Sequence, residues 1–219
     1  VNYTELVTAV SDYTENTFPT VNMNTFIKQA EQRIYNSVQF PSIRKNVTGV
    51  TSTSNKYLSC PNDFLAVYSM AVIDGTGMYE YLLNKDVNFI RQAYPSPTDT
   101  AIPKYYALFG PTVVSSVITN ELSFILGPTP DAVYNVELHY YYYPESIVTA
   151  STTWLGDNFD SVLLYGTLVE AITYMKGEAD MVTLYNTKYN EALALAKRLG
   201  DGMERQDAYR SGQFRQAVT

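Results

Sequence analysis

The chain has 219 residues, 46% of them hydrophobic, and a formal net charge of −7; this length and apolar content fit one large domain or two small ones and exclude general disorder. The acidic balance argues against wrapping nucleic acid, which needs a net basic face to neutralise phosphate, but not against standing near it without adhering, because an acidic wall repels phosphate. The single cysteine, Cys60, excludes an internal disulfide and a cysteine-based zinc site.

No apolar run approaches the length of a membrane span, so no membrane partner is expected. The opening Val1-Asn2-Tyr3-Thr4-Glu5 has neither the basic nor the apolar region of a secretory signal. Twenty residues are tyrosine and one is tryptophan. Tyrosine joins a large apolar ring to a polar tip and suits surfaces that are buried on assembly; a tyrosine-rich β core is the alternative.

In chain order, 3–16 reads as a helix with Tyr3, Leu6, Val7, Val10 and Tyr13 at helical spacing and Asn2 with Glu5 as a capping box. A second helix is predicted over 24–38, with Phe26, Ile27, Ala30, Ile34 and Val38 as its apolar face. Thr, Ser and Val around Gly49 and Asn55 make 44–59 a hairpin. Residues 65–73 form a strand apolar on both faces, hence central or covered. A short returning strand is predicted over 79–83 and a short helix over 86–94, capped by Asn84 or Asp86. Strands follow at 104–109, 112–118 and 121–126. In the strand 133–143, Tyr134, Val136, Leu138, Tyr140 and Tyr142 form the core face; Asn135, Glu137, His139, Tyr141 and Tyr143 form the other.

Helices return after Pro144. Asp157 and Asp160 cap one that runs to Lys176, with Gly177 as its C-terminal glycine. The last helix, 178–199, carries the stripe Met181, Leu184, Tyr185, Ala192, Leu195 and Leu199 and ends at Gly200. The expected fold is α+β: an antiparallel four-helix bundle from 1–43 and 145–199, a β-rich antiparallel insertion domain at 44–144, and an extended C-terminal arm at 200–219. The arm spaces Arg205, Arg210 and Arg215 with Tyr209 and Phe214; it reads as a frayed terminus or as a segment that orders on a partner.

No active site is legible. His139 is the one histidine and no Gly-x-Ser-x-Gly elbow accompanies it. Cys60 has no basic cluster beside it and reads as a packed thiol. Gly75-Thr76-Gly77 lacks the lysine of a phosphate loop. Asp157 and Asp160 are explained as caps, Glu170 as an exposed helix residue or a buried partner for a cation, and nothing in the spacing of Glu137 and Glu170 supports a glycosidase pair. No catalytic residue, metal ligand or cofactor is expected.

Four ordered segments carry a resemblance. They are Tyr57-Leu58-Ser59-Cys60-Pro61-Asn62-Asp63-Phe64-Leu65; Pro103-Lys104-Tyr105-Tyr106-Ala107-Leu108-Phe109-Gly110; Leu126-Gly127-Pro128-Thr129-Pro130 followed by the strand Tyr134 to Pro144; and Thr153-Trp154-Leu155 followed by Leu163-Leu164-Tyr165-Gly166-Thr167-Leu168-Val169-Glu170-Ala171. In order and spacing they resemble the head–tail adaptor proteins of tailed bacteriophages, with Cys60 and Asn62 standing where that family more often has an apolar and an acidic residue. The resemblance implies a non-enzymatic virion protein at the head–tail junction, made in the host cytoplasm and assembled as a cyclic ring of about twelve copies. Its implied partners are the portal protein, a downstream tail or neck protein, its own copies, and genomic DNA passing without sequence-specific binding. The arm residues Arg205, Tyr209, Arg210, Phe214 and Arg215 are then expected to meet the portal. Tyr68, Met70, Tyr141 and Tyr143 are expected at the subunit interface. The competing readings are a tail-associated carbohydrate-binding module, or glycosidase, with tyrosines as sugar platforms, and another neck protein such as a tail terminator.

Overall fold

The computed structural model describes residues 1–96, 98–110, 112–114, 117–120 and 122–210. The chain divides into two compact units, one formed by Val1–Ile43 together with the chain from Tyr143 onward, the other by Arg44–Tyr142.

In the first unit, α1 (Tyr3–Thr14) begins at the capping box that Asn2 and Glu5 predict: Asn2 accepts from the Glu5 N–H and Glu5 from the Asn2 N–H. Helix α2 (Thr20–Ser37) starts four residues earlier than its apolar periodicity indicates, because Pro19 supplies a fixed φ at the entry without a side-chain cap. It leads through a 3-10 turn, Pro41–Ile43, out of the unit. The chain returns to a short α4 (Ile147–Ala150), which the sequence does not signal, then to α5 (Trp154–Asn158), α6 (Asp160–Tyr174) and α7 (Ala179–Arg210). Asp157 lies inside α5, whose cap is Thr153; Asp160 is the first residue of α6 and accepts from the Ser161 N–H.

The expected four-helix bundle with an inserted β domain is not what forms. Among the described residues there are seven α-helices and two four-stranded sheets, and in the first unit α1, α2 and α7 all pack on α6. The reason lies in α6. Val162, Leu163, Gly166, Thr167, Leu168, Val169, Ala171 and Ile172 are buried, and at 100° per residue they occupy its whole circumference. A helix apolar all round becomes the centre, whereas a bundle helix offers one stripe.

Helix α7 departs from its expected stripe. Tyr185, Tyr189, Leu193 and Ala196 are buried, while Leu184, Leu195 and Leu199 are exposed, Leu195 at 64%. Two stripes at helical spacing lie side by side, and the one carrying Tyr185, Tyr189, Leu193 and Ala196 packs. Gly200 does not end the helix: a Cβ there would lie 3.0 Å from Val38 Cγ1 and 3.1 Å from Gln39 O. Close approach, not helix termination, explains the glycine. The backbone of α7 continues to Arg210, so the expected extended arm is helical through that point. At the end of α6 the residue with positive φ is Lys176, at 55°, and Gly177 N–H reaches back to Ile172 O, a Schellman motif with lysine in the left-handed position.

Glu31 on α2 is 3% exposed and accepts from the Ile147 N–H at 2.9 Å, tying α2 to the start of α4. Burial raises its carboxyl above the ordinary 4.5, against the lowering effect of hydrogen bonds from Ile147 and Ser146 and the charge of Lys28. The folded state therefore holds this proton more tightly than the unfolded chain, and stability falls as pH rises from the ordinary value through the raised one. Glu31→Gln keeps the acceptor and loses the titration. The melting temperature of the variant relative to the parent is expected to climb as pH rises above the ordinary 4.5, and a difference independent of pH would refute the buried titration.

In the second unit, the first sheet has the order β1 (Arg44–Val50), β10 (Asn135–Tyr141), β3 (Ala66–Ile73), β4 (Tyr79–Tyr81), with every neighbouring pair antiparallel. The second has the order β2 (Tyr57–Ser59), β9 (Ser123–Gly127), β6 (Tyr105–Phe109), β5 (Leu83–Asn84), with β5 and β6 parallel. A separate hairpin joins β7 (Thr112–Val114) to β8 (Val117–Asn120). The expected hairpin at 44–59 does not form: its halves turn at a bridge between Ser52 and Asn55 and enter different sheets. The turn residues mark the reversal, but the partners of both strands lie far along the chain.

Met70 and Val72 of β3, Val136, Leu138 and Tyr140 of β10, Tyr106 of β6, Phe124 and Leu126 of β9, with Phe64 and Leu82, form one core between the sheets. The outer side of the second sheet carries α3 (Val87–Ala93), capped by Asp86 and packed through Ile90 on Ala107 and Ile125. Strand β9 is thus buried on both faces, which accounts for the consecutive apolar residues Phe124, Ile125 and Leu126.

Candidate functional site

Alternation along β10 turns Val136, Leu138 and Tyr140 into the core and Asn135, Glu137, His139 and Tyr141 to the outer face of the first sheet. A bulge opposite His139 and Tyr140 adds Tyr68 to that outer face. The Tyr68 ring meets His139 at 4.9 Å and Tyr141 at 5.9 Å, and the Arg44 guanidinium lies 4.7 Å from the Tyr68 centroid. Further along the sheet, Tyr79 and Tyr81 stack with centroids 6.4 Å apart, and the Tyr79 hydroxyl donates to Glu137. The result is a tyrosine-covered sheet face with charged residues between the rings.

Of the residues expected at a subunit interface, Tyr68 and Tyr141 are neighbours on this face. Met70 is not on it: at 1% exposure it belongs to the core between the sheets. The doubly apolar character of 65–73 places β3 in the interior of a sheet, and the parity of the strand sends Met70 inward. Tyr143 belongs to the first unit, where its hydroxyl donates to Asn36 Oδ1 at 2.6 Å. Arg205, Tyr209 and Arg210 fall on α7; Phe214 and Arg215 lie outside the described residues.

Asp63 has a role that motif reading does not show. Its Oδ1 accepts from the Tyr140 hydroxyl at 2.8 Å and its Oδ2 from Lys45 Nζ at 2.8 Å, linking the turn before β3 to β10 and β1. Burial pushes its carboxyl up, but the hydrogen bonds from Lys45 and Tyr140 and the lysine charge outweigh it and hold the group below its ordinary value. Phe64 beside it is edge-on to Phe124, 5.3 Å between centroids. The Asp-Phe pair is a latch: the carboxylate fixes the turn and the ring enters the core.

The groups that could carry chemistry are engaged otherwise. His139 packs on Tyr68. Burial pushes the Cys60 thiol up to about 12, so it carries little thiolate at neutral pH. Glu170 pairs with Arg33 across α6 and α2, resolving its two readings in favour of a cation partner. Glu137 and Glu170 belong to different units. Among the described residues no group of three or more His, Cys, Asp and Glu is placed to hold a metal ion, and no helix is long and apolar enough to cross a membrane.

A sheet face covered by half-exposed tyrosines, over a core closed by the unit's own side chains, has the aromatic composition that protein contact surfaces favour. The sequence model of the SU10 adaptor protein family matches residues 1–216, and the chain belongs to that family. The resemblance to phage head–tail adaptors is thereby shown, and with it a structural component of the virion. No curated protein matches the chain.

Proposed function

We propose that this protein is a head–tail adaptor ring subunit that docks on the portal and links it to the tail around the DNA passage. The family match over residues 1–216 carries the reading. A ring of about twelve copies needs two unlike side faces on each subunit, and the tyrosine face with Tyr68 and Tyr141 is well suited to contact another chain. Tyr143 is proposed as a further contact in the first unit. The region from 200 onward, with Arg205, Tyr209, Arg210, Phe214 and Arg215, is proposed to engage the portal, entering as the end of α7. The downstream partner is a tail or neck protein, and the subunit is made in the host cytoplasm before it joins the virion. With a net charge of −7, the wall does not adhere to passing DNA.

Native mass spectrometry of the protein, alone and with the portal ring of the same virus, tests this. The expected result is a discrete complex with many adaptor copies per portal ring, lost when the chain is cut after Gly200 although the remainder stays folded. Absence of any complex at every salt concentration would overturn the portal role; an unchanged complex after truncation would remove the C-terminal region from it.

A further inference from the structure

Among the described residues, no further strand pairs with either lateral edge of the first sheet. Strand β1 stands at one end of the order and β4 at the other. The β4 side is crowded with exposed apolar groups: Met78, Tyr79, Tyr81 and Leu83 are 68%, 50%, 65% and 60% exposed. A row of this kind on an edge strand is an aggregation hazard unless another chain covers it. The β1 side exposes Val50 and, where the chain enters the second sheet, Tyr57.

The two edges fit each other in two ways. The first is direction. Four strands that are all antiparallel end in β1 and β4 running opposite ways, so a second copy placed β4 against β1 continues the alternation.

The second is pleat. The Leu82 N–H donates to Met70 O, and the Thr51 N–H to Tyr134 O. Alternation then turns the backbone N–H and C=O groups of Tyr79 and Tyr81 away from β3, and those of Asn46, Thr48 and Val50 away from β10. The register aligns Thr48, Glu137, Ala71 and Tyr81 across the sheet, and Val50, Asn135, Ile73 and Tyr79 likewise. The residues with outward-turned backbone on both edges therefore carry their side chains on the same face, as an antiparallel pair requires.

We infer that the β unit of one copy adds edge to edge onto the β unit of the next, with β4 pairing antiparallel to β1 of a second copy. This is a head-to-tail contact, the kind that closes into a ring under rotation. It rests on the ring reading above and names the side faces of that ring. It also provides cover for Tyr79 and Tyr81, which one copy leaves exposed.

Cross-linking in the assembled complex with portal tests the contact separately from the ring. In a Cys60→Ser background, Thr48→Cys and Tyr81→Cys are introduced singly and together and treated with a short thiol cross-linker. Within one copy the two positions are about 14 Å apart, three strand spacings, beyond the reach of such a reagent. The expected result is a ladder of covalent multimers from the double variant, heterodimers from a mixture of the single variants, and at most trace dimers from either single variant alone. Strong dimers from one single variant would show a two-fold, like-with-like edge and overturn the inference. A ring that assembles on the portal without cross-links would overturn it while leaving the adaptor reading intact. Failure of the unmodified protein to form any ring would remove both.

Discussion

Replacing Phe64 by alanine is expected to destabilise the β unit by about 3–5 kcal/mol, the cost of emptying a buried aromatic site that cannot collapse. Phe64 is 7% exposed, edge-on to Phe124, and 5.9 Å from Tyr140 by centroids. Those two rings come from different sheets, so Phe64 joins the sheets and does more than fill one of them. The surrounding backbone is restrained, since Asp63 holds both Tyr140 and Lys45, and it cannot move in to close the cavity. Denaturant unfolding followed by near-ultraviolet dichroism of the tyrosines measures the loss. The single tryptophan, Trp154, belongs to the other unit, and its fluorescence reports whether that unit unfolds with the first or separately. A loss under about 1 kcal/mol for Phe64→Ala would mean that the turn residue is not the anchor of this core.

The second large effect is expected at Gly166 in α6. A Cβ there would stand 3.2 Å from both Ala30 Cβ of α2 and Tyr189 Cε2 of α7. Alanine gains about 1 kcal/mol of helix propensity and gives it back in crowding, so Gly166→Ala should be close to neutral. Leucine would have to push α2 or α7 off the central helix, at about 1–3 kcal/mol or more. Trp154 fluorescence and far-ultraviolet dichroism should both register the earlier unfolding. Equal stability of the alanine and leucine variants would show that the three helices are not packed at this contact distance.

The two glycines of the helical unit show why local reading stops where it does. Gly200 sits where a helix terminator is expected, and Gly166 gives no local signal in the middle of a helix. Both are places where another segment comes close. Their neighbours are Gln39, more than a hundred residues away for the first, and Ala30 for the second, and no window of sequence contains such pairs. The same applies to the stripe of α7. Its leucines and its tyrosines both recur at helical spacing, and the choice between them was made by the groove that α6 offers, so Leu195 ended outside.

The candidate site divides in the same way. The outward row of β10, with His139 and Tyr141, is legible from strict alternation. Tyr68 is legible as an aromatic on β3, but its place beside them depends on a bulge. Met70 follows the parity of the strand into the core, because a strand apolar on both faces is one in a sheet interior as readily as one at an interface. The open edges at β1 and β4 could not be read at all, since strand order across a sheet depends on which distant segments pair.

What sequence alone settles here is local chemistry: the capping box at Asn2 and Glu5, the alternation of β10, a short capped helix near 86–94, and the ordered motifs that place the chain in its family. These are set by backbone sterics, hydrogen-bond spacing and side-chain periodicity within a few residues. The central position of α6, the division of 44–59 between two sheets, the Asp63 link to β10 and β1, and the matching free edges arise from contacts between segments tens of residues apart. Each of those depends on which burial and which hydrogen-bond partners win when the whole chain is folded, and that competition has no local signature.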